Sequence, residues 1–195
     1  MPLDAIFRRM GWDRNKKTVP VPPRVSDEVL ERARADHAAG YYEKGIEQLR
    51  GLDACADDPR CLRVIGLCYL GLQRTEEAID VFLLARELSR TELARDEANL
   101  CAALLTARRF ADARAAAQRA VDLAPSEPLS HVNMIGVLQR SKAKEELEQY
   151  LIALRRDFPD VIKTPYFQER MDRDPDLVGV SEYLKGGCTA AEGQT

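Results

Sequence analysis

A chain of 195 residues is one domain, or one domain with tails, and 45% hydrophobic content is enough to build its core. Aromatics make up only 6% while Ala and Leu dominate, which points to helices packed through small side chains rather than to a β-sandwich. The net charge of −3 gives the chain as a whole no polyanion-binding signature, and no apolar run approaches the ~20 residues needed to cross a bilayer.

Residues 1–25 stand apart. Leu3, Ile6, Phe7 and Met10 fall at i, i+3, i+4 and i+7, one face of a short helix. Trp12, the basic run 13–17 and the Val-Pro-Val-Pro-Pro sequence at 19–23 follow. Each Pro removes an N–H and restrains its predecessor, so this second part is expected to be an extended linker. Six Lys and Arg against two Asp and Glu give residues 1–25 a charge of +4, leaving −7 for the remainder. Two readings stand: an amphipathic anchor for a membrane or partner, or a segment folded back onto the rest of the chain to cover the exposed first helix there. Arg8 and Arg9 follow the apolar residues instead of preceding them, the reverse of a secretory signal. A cytoplasmic protein is expected.

From Ser26 onward the pattern is helical and repetitive. Ser26 is an N-cap with Asp27 and Glu28 in the first turn, and Gly40 stops that helix near Ala39. A second helix is expected over 42–54. The next pairs are expected at 59–72 with 75–89, at 92–107 with 110–123, and at 127–140 with 143–156. Thr75 and Ser126 are the expected caps for two of these helices. Beyond Pro159, Thr164-Pro165 opens a helix carrying Phe167 and Met171, Asp174-Pro175 breaks it, and Leu177, Val180 and Leu184 form a last amphipathic turn. Residues 160–187 are expected to cap the array, and 188–195 to be a disordered tail.

The spacing within 26–159 is periodic. Leu62-x2-Ile65-Gly66-x2-Tyr69 is followed by Ala78-x3-Phe82-x2-Ala85. Gly45, Leu49 and Leu52 lie 33 residues before the second triplet, Ala113, Ala117 and Ala120 lie 35 after it, and Leu147, Leu151 and Leu154 lie 34 further on. This pattern resembles the tetratricopeptide repeat, a helix-turn-helix unit of ~34 residues. The resemblance covers about two thirds of the chain. It implies an all-α, right-handed α-solenoid of about four repeats with a C-terminal capping helix. Gly66 and Ala78 then sit where the two helices of a hairpin cross closely. Arg32, Ala33 and Asp36 in the first repeat, and Lys144 and Leu147 in the fourth, depart from the family pattern.

The resemblance also implies a concave groove lined by the first helix of each repeat. Helical spacing places Leu30, Arg34 and His37 on that face in the first repeat, and Arg60, Arg63, Leu67 and Leu70 in the second. Arg95, Asn99, Ala102 and Leu105 follow in the third, and Leu129, Asn133, Gly136 and Arg140 in the fourth. Of these, Arg34, His37, Arg60, Arg63, Leu67, Leu70, Arg95, Asn99, Ala102, Asn133 and Arg140 are the candidate partner-binding residues. Asn99 and Asn133 lie 34 apart, where family members use Asn to hold a ligand's backbone. Arginine forks suit carboxylate or phosphate partners. The competing reading is a solvated face whose arginines pair with Asp57, Asp58, Asp96 and Glu97. The Lys-Asn-Arg clamp by which cochaperones of the family hold acidic tails is incomplete, because Leu30, Val64 and Asn99 occupy its places.

Five cysteines (Cys55, Cys61, Cys68, Cys101, Cys188), with no Cys-x-x-Cys spacing, read as reduced thiols, and His37 and His131 fall at no metal-ligand spacing relative to them. No phosphate loop, nucleophile elbow or zinc signature is present. The expected function is a noncatalytic scaffold or adaptor that binds a peptide or helix of an acidic or amphipathic protein, without cofactor, metal or nucleic acid. Self-association through residues 1–12 is a further reading. By analogy of fold, short Ala- and Arg-rich arrays also look like bacterial assembly proteins and the soluble chaperones of secreted proteins. An RNA-binding helical repeat is the remaining alternative, opposed by the charge and by the lack of groove aromatics.

Overall fold

In the computed structural model, residues 3–11, 24–89 and 91–186 are described. They form α1 (Leu3–Arg9), then four helical hairpins: α2 (Asp27–Ala38) with α3 (Tyr42–Arg50), α4 (Pro59–Gly71) with α5 (Thr75–Leu88), α6 (Leu93–Thr106) with α7 (Phe110–Leu123), and α8 (Pro128–Arg140) with α9 (Lys144–Asp157). Three short helices follow, α10 (Pro159–Lys163), α11 (Pro165–Arg173) and α12 (Val178–Gly186). Among the described residues there is no strand, and no helix is long and apolar enough to cross a membrane. Trp12, the basic run 13–17, the Pro-rich 19–23 and the tail 188–195 with Cys188 lie outside the described residues.

Capping chemistry explains most boundaries. The Ser26 side chain accepts from the Val29 N–H at 3.4 Å, and Asp58 accepts from the Arg60 N–H at 2.9 Å. Pro59, Pro128, Pro159 and Pro165 each open a helix, where a missing N–H costs no intrahelical bond. Thr75 and Ser126 are not caps: Arg74 and Glu127 hold those places, and neither makes a side-chain cap bond. The helix expected over 42–54 ends at Arg50. Leu52 is extended, and a 3-10 turn covers Asp53–Asp57 before the Asp58 cap.

The turn inside each hairpin is the same object four times. Gly40, Gln73, Arg108 and Lys142 all have positive φ, at 81°, 59°, 58° and 61°. The next N–H reaches back five residues in every case: Tyr41 to the Asp36 carbonyl, Arg74 to Tyr69, Arg109 to Leu104 and Ala143 to Leu138, at 2.8–3.0 Å. This left-handed cap with its long-range bond closes the orphan carbonyls of the first helix and aims the chain into the second.

The first helices α2, α4, α6 and α8 pack side by side in one layer, and the second helices α3, α5 and α7 pack against the first helix of the following repeat. Ile65, Tyr69, Ala78, Phe82 and Ala85 are all fully buried. A Cβ on Gly66 would come within 2.4 Å of the Phe82 ring, so the α4–α5 crossing has room for hydrogen alone. Cys55, Cys61, Cys68 and Cys101 are free and buried as small hydrophobes. Burial pushes Cys68 up to about 11 and Cys101 up to about 12, so both are thiols at neutral pH.

The two ends dock on opposite layers. Helix α1 packs on α5, with Ile6 and Met10 buried, Arg9 ion-paired to the buried Asp80, and Arg50 donating to the Met10 carbonyl. This segment therefore folds back on the second-helix layer and not, as one expectation had it, over the first helix α2. At the other end α11 packs on α8, with Phe167 and Met171 buried.

Candidate functional site

A cavity of about 480 Å³ opens on the layer of first helices. Arg34 and His37 come from α2, Arg63, Leu67 and Leu70 from α4, Arg95, Asn99 and Ala102 from α6, and Leu129 and Asn133 from α8. Residues one repeat apart reach a common wall because equivalent helices lie side by side. A second cavity of about 510 Å³ continues from it along α6 and α8, sharing Ala102, Asn133 and Arg170 and adding Leu105, Gly136 and Arg140.

Two of the candidates do not belong to the first cavity. Arg60 sits on its edge of α4, where it binds both Asp58 oxygens, Asp27 at 2.6 Å and the Val25 carbonyl at 2.9 Å. It ties the entry of α2 to the entry of α4. Arg140 lies in the continuation, ion-paired to Asp174 and, at 3.0 Å, to Asp176. Leu30 is 1% exposed and belongs to the core.

The candidates that do line the cavity differ in what they have left to offer. Arg63 is 5% exposed: its Nε donates to Asp96 at 2.6 Å, and its guanidinium also meets Glu92 at 2.5 Å and Ser89 at 3.3 Å. It is an internal link between repeats. Asn133 is also engaged, its amide donating to the Ala98 carbonyl at 2.8 Å. The pairing reading thus holds for Arg60 with Asp58 and for Arg63 with Asp96.

Arg34 and Arg95 are exposed, and among the described residues each pairs only with a glutamate three positions earlier: Glu31 on the same helix, and Glu92 at the cap of α6, which also holds Arg63. Such pairs contribute little and exchange readily. Asn99 makes no side-chain hydrogen bond among the described residues, so its amide is available. His37 is half-buried with its ring 5.6 Å from Tyr42, and burial holds its imidazole below the usual range, in the neutral form at pH 7.

Two lining residues come from a segment read only as a cap. Tyr166 and Arg170 of α11 form the far wall of the cavity, and Arg170 has no ion-pair or hydrogen-bond partner among the described residues. Tyr166 is 44% exposed, an aromatic ring on the cavity rim. The one-turn spacing of Tyr166 and Arg170 marks a helix face beside that of Phe167 and Met171, but nothing in the sequence says what that face meets. Among the described residues no three potential metal ligands cluster.

No family model and no curated protein matches the chain. Solved structures do. The chain is similar to MamA from Desulfovibrio magneticus RS-1 (residues 41 to the end), at 18% identity and a TM-score of 0.57 over 83% of this chain and 93% of that one. A MamA RS-1 double mutant gives 18% identity and a TM-score of 0.56, covering 84% and 98%. YrrB, described as a TPR protein with an unusual peptide-binding site, gives 14% identity and a TM-score of 0.57, covering 95% and 94%. At such identities the likeness establishes architecture, and it agrees with four left-handed turns one repeat apart and the glycine-limited crossing at Gly66. The chain has the fold of the tetratricopeptide-repeat proteins.

Proposed function

We propose that this chain is a noncatalytic protein-interaction scaffold that holds an acidic peptide segment of a partner in the cavity between α2, α4, α6, α8 and α11. The observation that carries the reading is Arg170. It is an exposed guanidinium on a cavity wall with no acid to answer it among the described residues, facing a lining that also holds the displaceable Arg34 and Arg95. A carboxylate entering there gains charge-assisted hydrogen bonds without breaking a buried pair. Leu67, Leu70, Leu129 and the Tyr166 ring supply apolar contact, and the free Asn99 amide suits a peptide bond. YrrB's peptide-binding site, on a similar fold, supports a peptide as the occupant.

The test is affinity capture from the source cell with wild type and with an Arg170→Glu/Asn99→Ala variant. Neither side chain has a hydrogen-bond or ion-pair partner among the described residues, so circular dichroism and melting should match wild type. A protein captured by wild type and lost from the variant supports the groove. A partner kept by both places the binding surface elsewhere.

A further inference from the structure

We propose that the outer end of this concave face, at the turns of the third and fourth repeats, is a separate site for a phosphate monoester. A cavity of about 620 Å³ there is lined by Arg108, Phe110, Gln139, Arg140, Lys142 and Asp176, among others.

Arg108 and Lys142 occupy the same place in successive repeats, the left-handed residue of the hairpin turn, with φ of 58° and 61°. The first repeat has Gly40 at that place, at φ 81°. L side chains adopt this conformation at a cost that glycine avoids. At Gly40 itself a Cβ would meet nothing within 4 Å. The second repeat bears that cost with Gln73, at φ 59°, and the third and fourth bear it with a cation each.

Neither the Arg108 nor the Lys142 side chain has a hydrogen-bond or ion-pair partner among the described residues. The carboxylate on the same wall, Asp176, is already held by the Arg140 Nε at 3.0 Å. Two cations without partners among the described residues, Arg108 and Lys142, thus face a cavity whose own acid, Asp176, shares the Arg140 guanidinium with Asp174. A phosphate monoester, carrying close to two negative charges at pH 7, matches them, whereas a carboxylate answers only one. The Gln139 amide adds a neutral donor, and the half-buried Phe110 ring gives apolar contact to the group that bears the phosphate. The ester has two sources: a phosphorylated side chain on a partner lying in the groove, which reaches this cavity along the shared Arg140 wall, or a free small molecule. The site itself does not depend on the groove reading.

The test titrates the full chain with phenyl phosphate, and separately with benzoate, while amide shifts are followed by NMR at ~150 mM salt. Saturable binding that moves the Phe110 and Lys142 amides, with benzoate roughly tenfold weaker, is expected. The decisive variant is Arg108→Gly/Lys142→Gly. It removes both cations while relieving both turns, so it should melt at or above wild type and bind phenyl phosphate roughly tenfold or more weakly. Unchanged affinity in this variant, or benzoate binding as tightly as phenyl phosphate, overturns the proposal. A phosphoserine peptide that binds more tightly than phosphoserine supports the site and assigns a partner protein as the source. Equal affinities support it and assign a free ester.

Discussion

Arg63 and Asp96 meet at 2.6 Å across the boundary between the second and third repeats, both almost wholly withdrawn from water. They lie 33 residues apart, nearly one repeat, so the pair fixes how one hairpin registers on the next. Removing one partner of a buried pair leaves an uncompensated charge, which costs about 3–5 kcal/mol. Arg63→Ala is expected to lower stability by that amount in denaturant titration. Arg63→Met combined with Asp96→Leu should recover most of the loss, because no charge then remains buried. A single-variant loss under ~1 kcal/mol contradicts this account.

Gly66 tests the helix crossing. Alanine there drives a methyl into the Phe82 ring, 2.4 Å from the built Cβ position, and overpacking of this kind costs about 1–3 kcal/mol. Phe82→Leu alone leaves a void. The double variant Gly66→Ala/Phe82→Leu should lose less than the two single losses added together, because each change fills or clears space for the other. Strict additivity in melting experiments shows that the two residues do not share the crossing.

Gly40 separates backbone strain from packing. No atom lies within 4 Å of the position a Cβ would take, so Gly40→Ala meets no clash. The cost is purely conformational, roughly 1 kcal/mol for an L residue held at positive φ. Gln73→Gly, at the equivalent turn, should change stability in the opposite direction by a similar or smaller amount. Chemical denaturation of both variants checks the pair of signs.

His131 makes the fold acid-sensitive. Its ring is buried, with Nε2 2.6 Å from the Pro125 carbonyl and Nδ1 2.6 Å from the Tyr150 hydroxyl, so the neutral tautomer donates to the former and accepts from the latter. Burial holds its pKa below the ordinary 6.5, and the Pro125 carbonyl only partly opposes that. The unfolded chain thus takes up a proton near pH 6.5 while the folded chain does not. Stability is fully present above pH 6.5 and declines as pH falls below it, levelling once the folded histidine titrates. His37, also lowered by burial, adds to the decline in the same direction. His131→Gln keeps an amide donor and acceptor without a titrating proton, so its stability should fall less between pH 7 and 5. Parallel curves for variant and wild type contradict the assignment.

Local chemistry wrote most of this architecture into the sequence. The small residues Gly66 and Ala78, their apolar partners Ile65, Tyr69 and Phe82, and the prolines that open α4 and α8 each act on neighbours within their own hairpin. The helix boundaries of the second, third and fourth repeats accordingly fall within a residue or two of the spacing-based expectation. The first repeat deviates because an Asp58 cap and a 3-10 turn compete with the end of α3, and competing caps are not ranked by periodicity. The candidate groove was legible to the same depth: helical spacing names which residues share a face, and most of those named line one cavity.

What each of those side chains has left to offer was decided by tertiary structure alone. Arg60, Arg63, Arg95 and Arg140 look alike in sequence. Only the packing of one repeat on the next brings Asp96 to Arg63, and only the fold of the C-terminal segment brings Asp174 and Asp176 to Arg140. The same folding carries Tyr166 and Arg170 of α11 onto the cavity wall. Periodicity encodes contacts between near neighbours along a helix, whereas ion pairing depends on distances of a few ångströms between segments whose relative placement is set by the summed packing of the whole array.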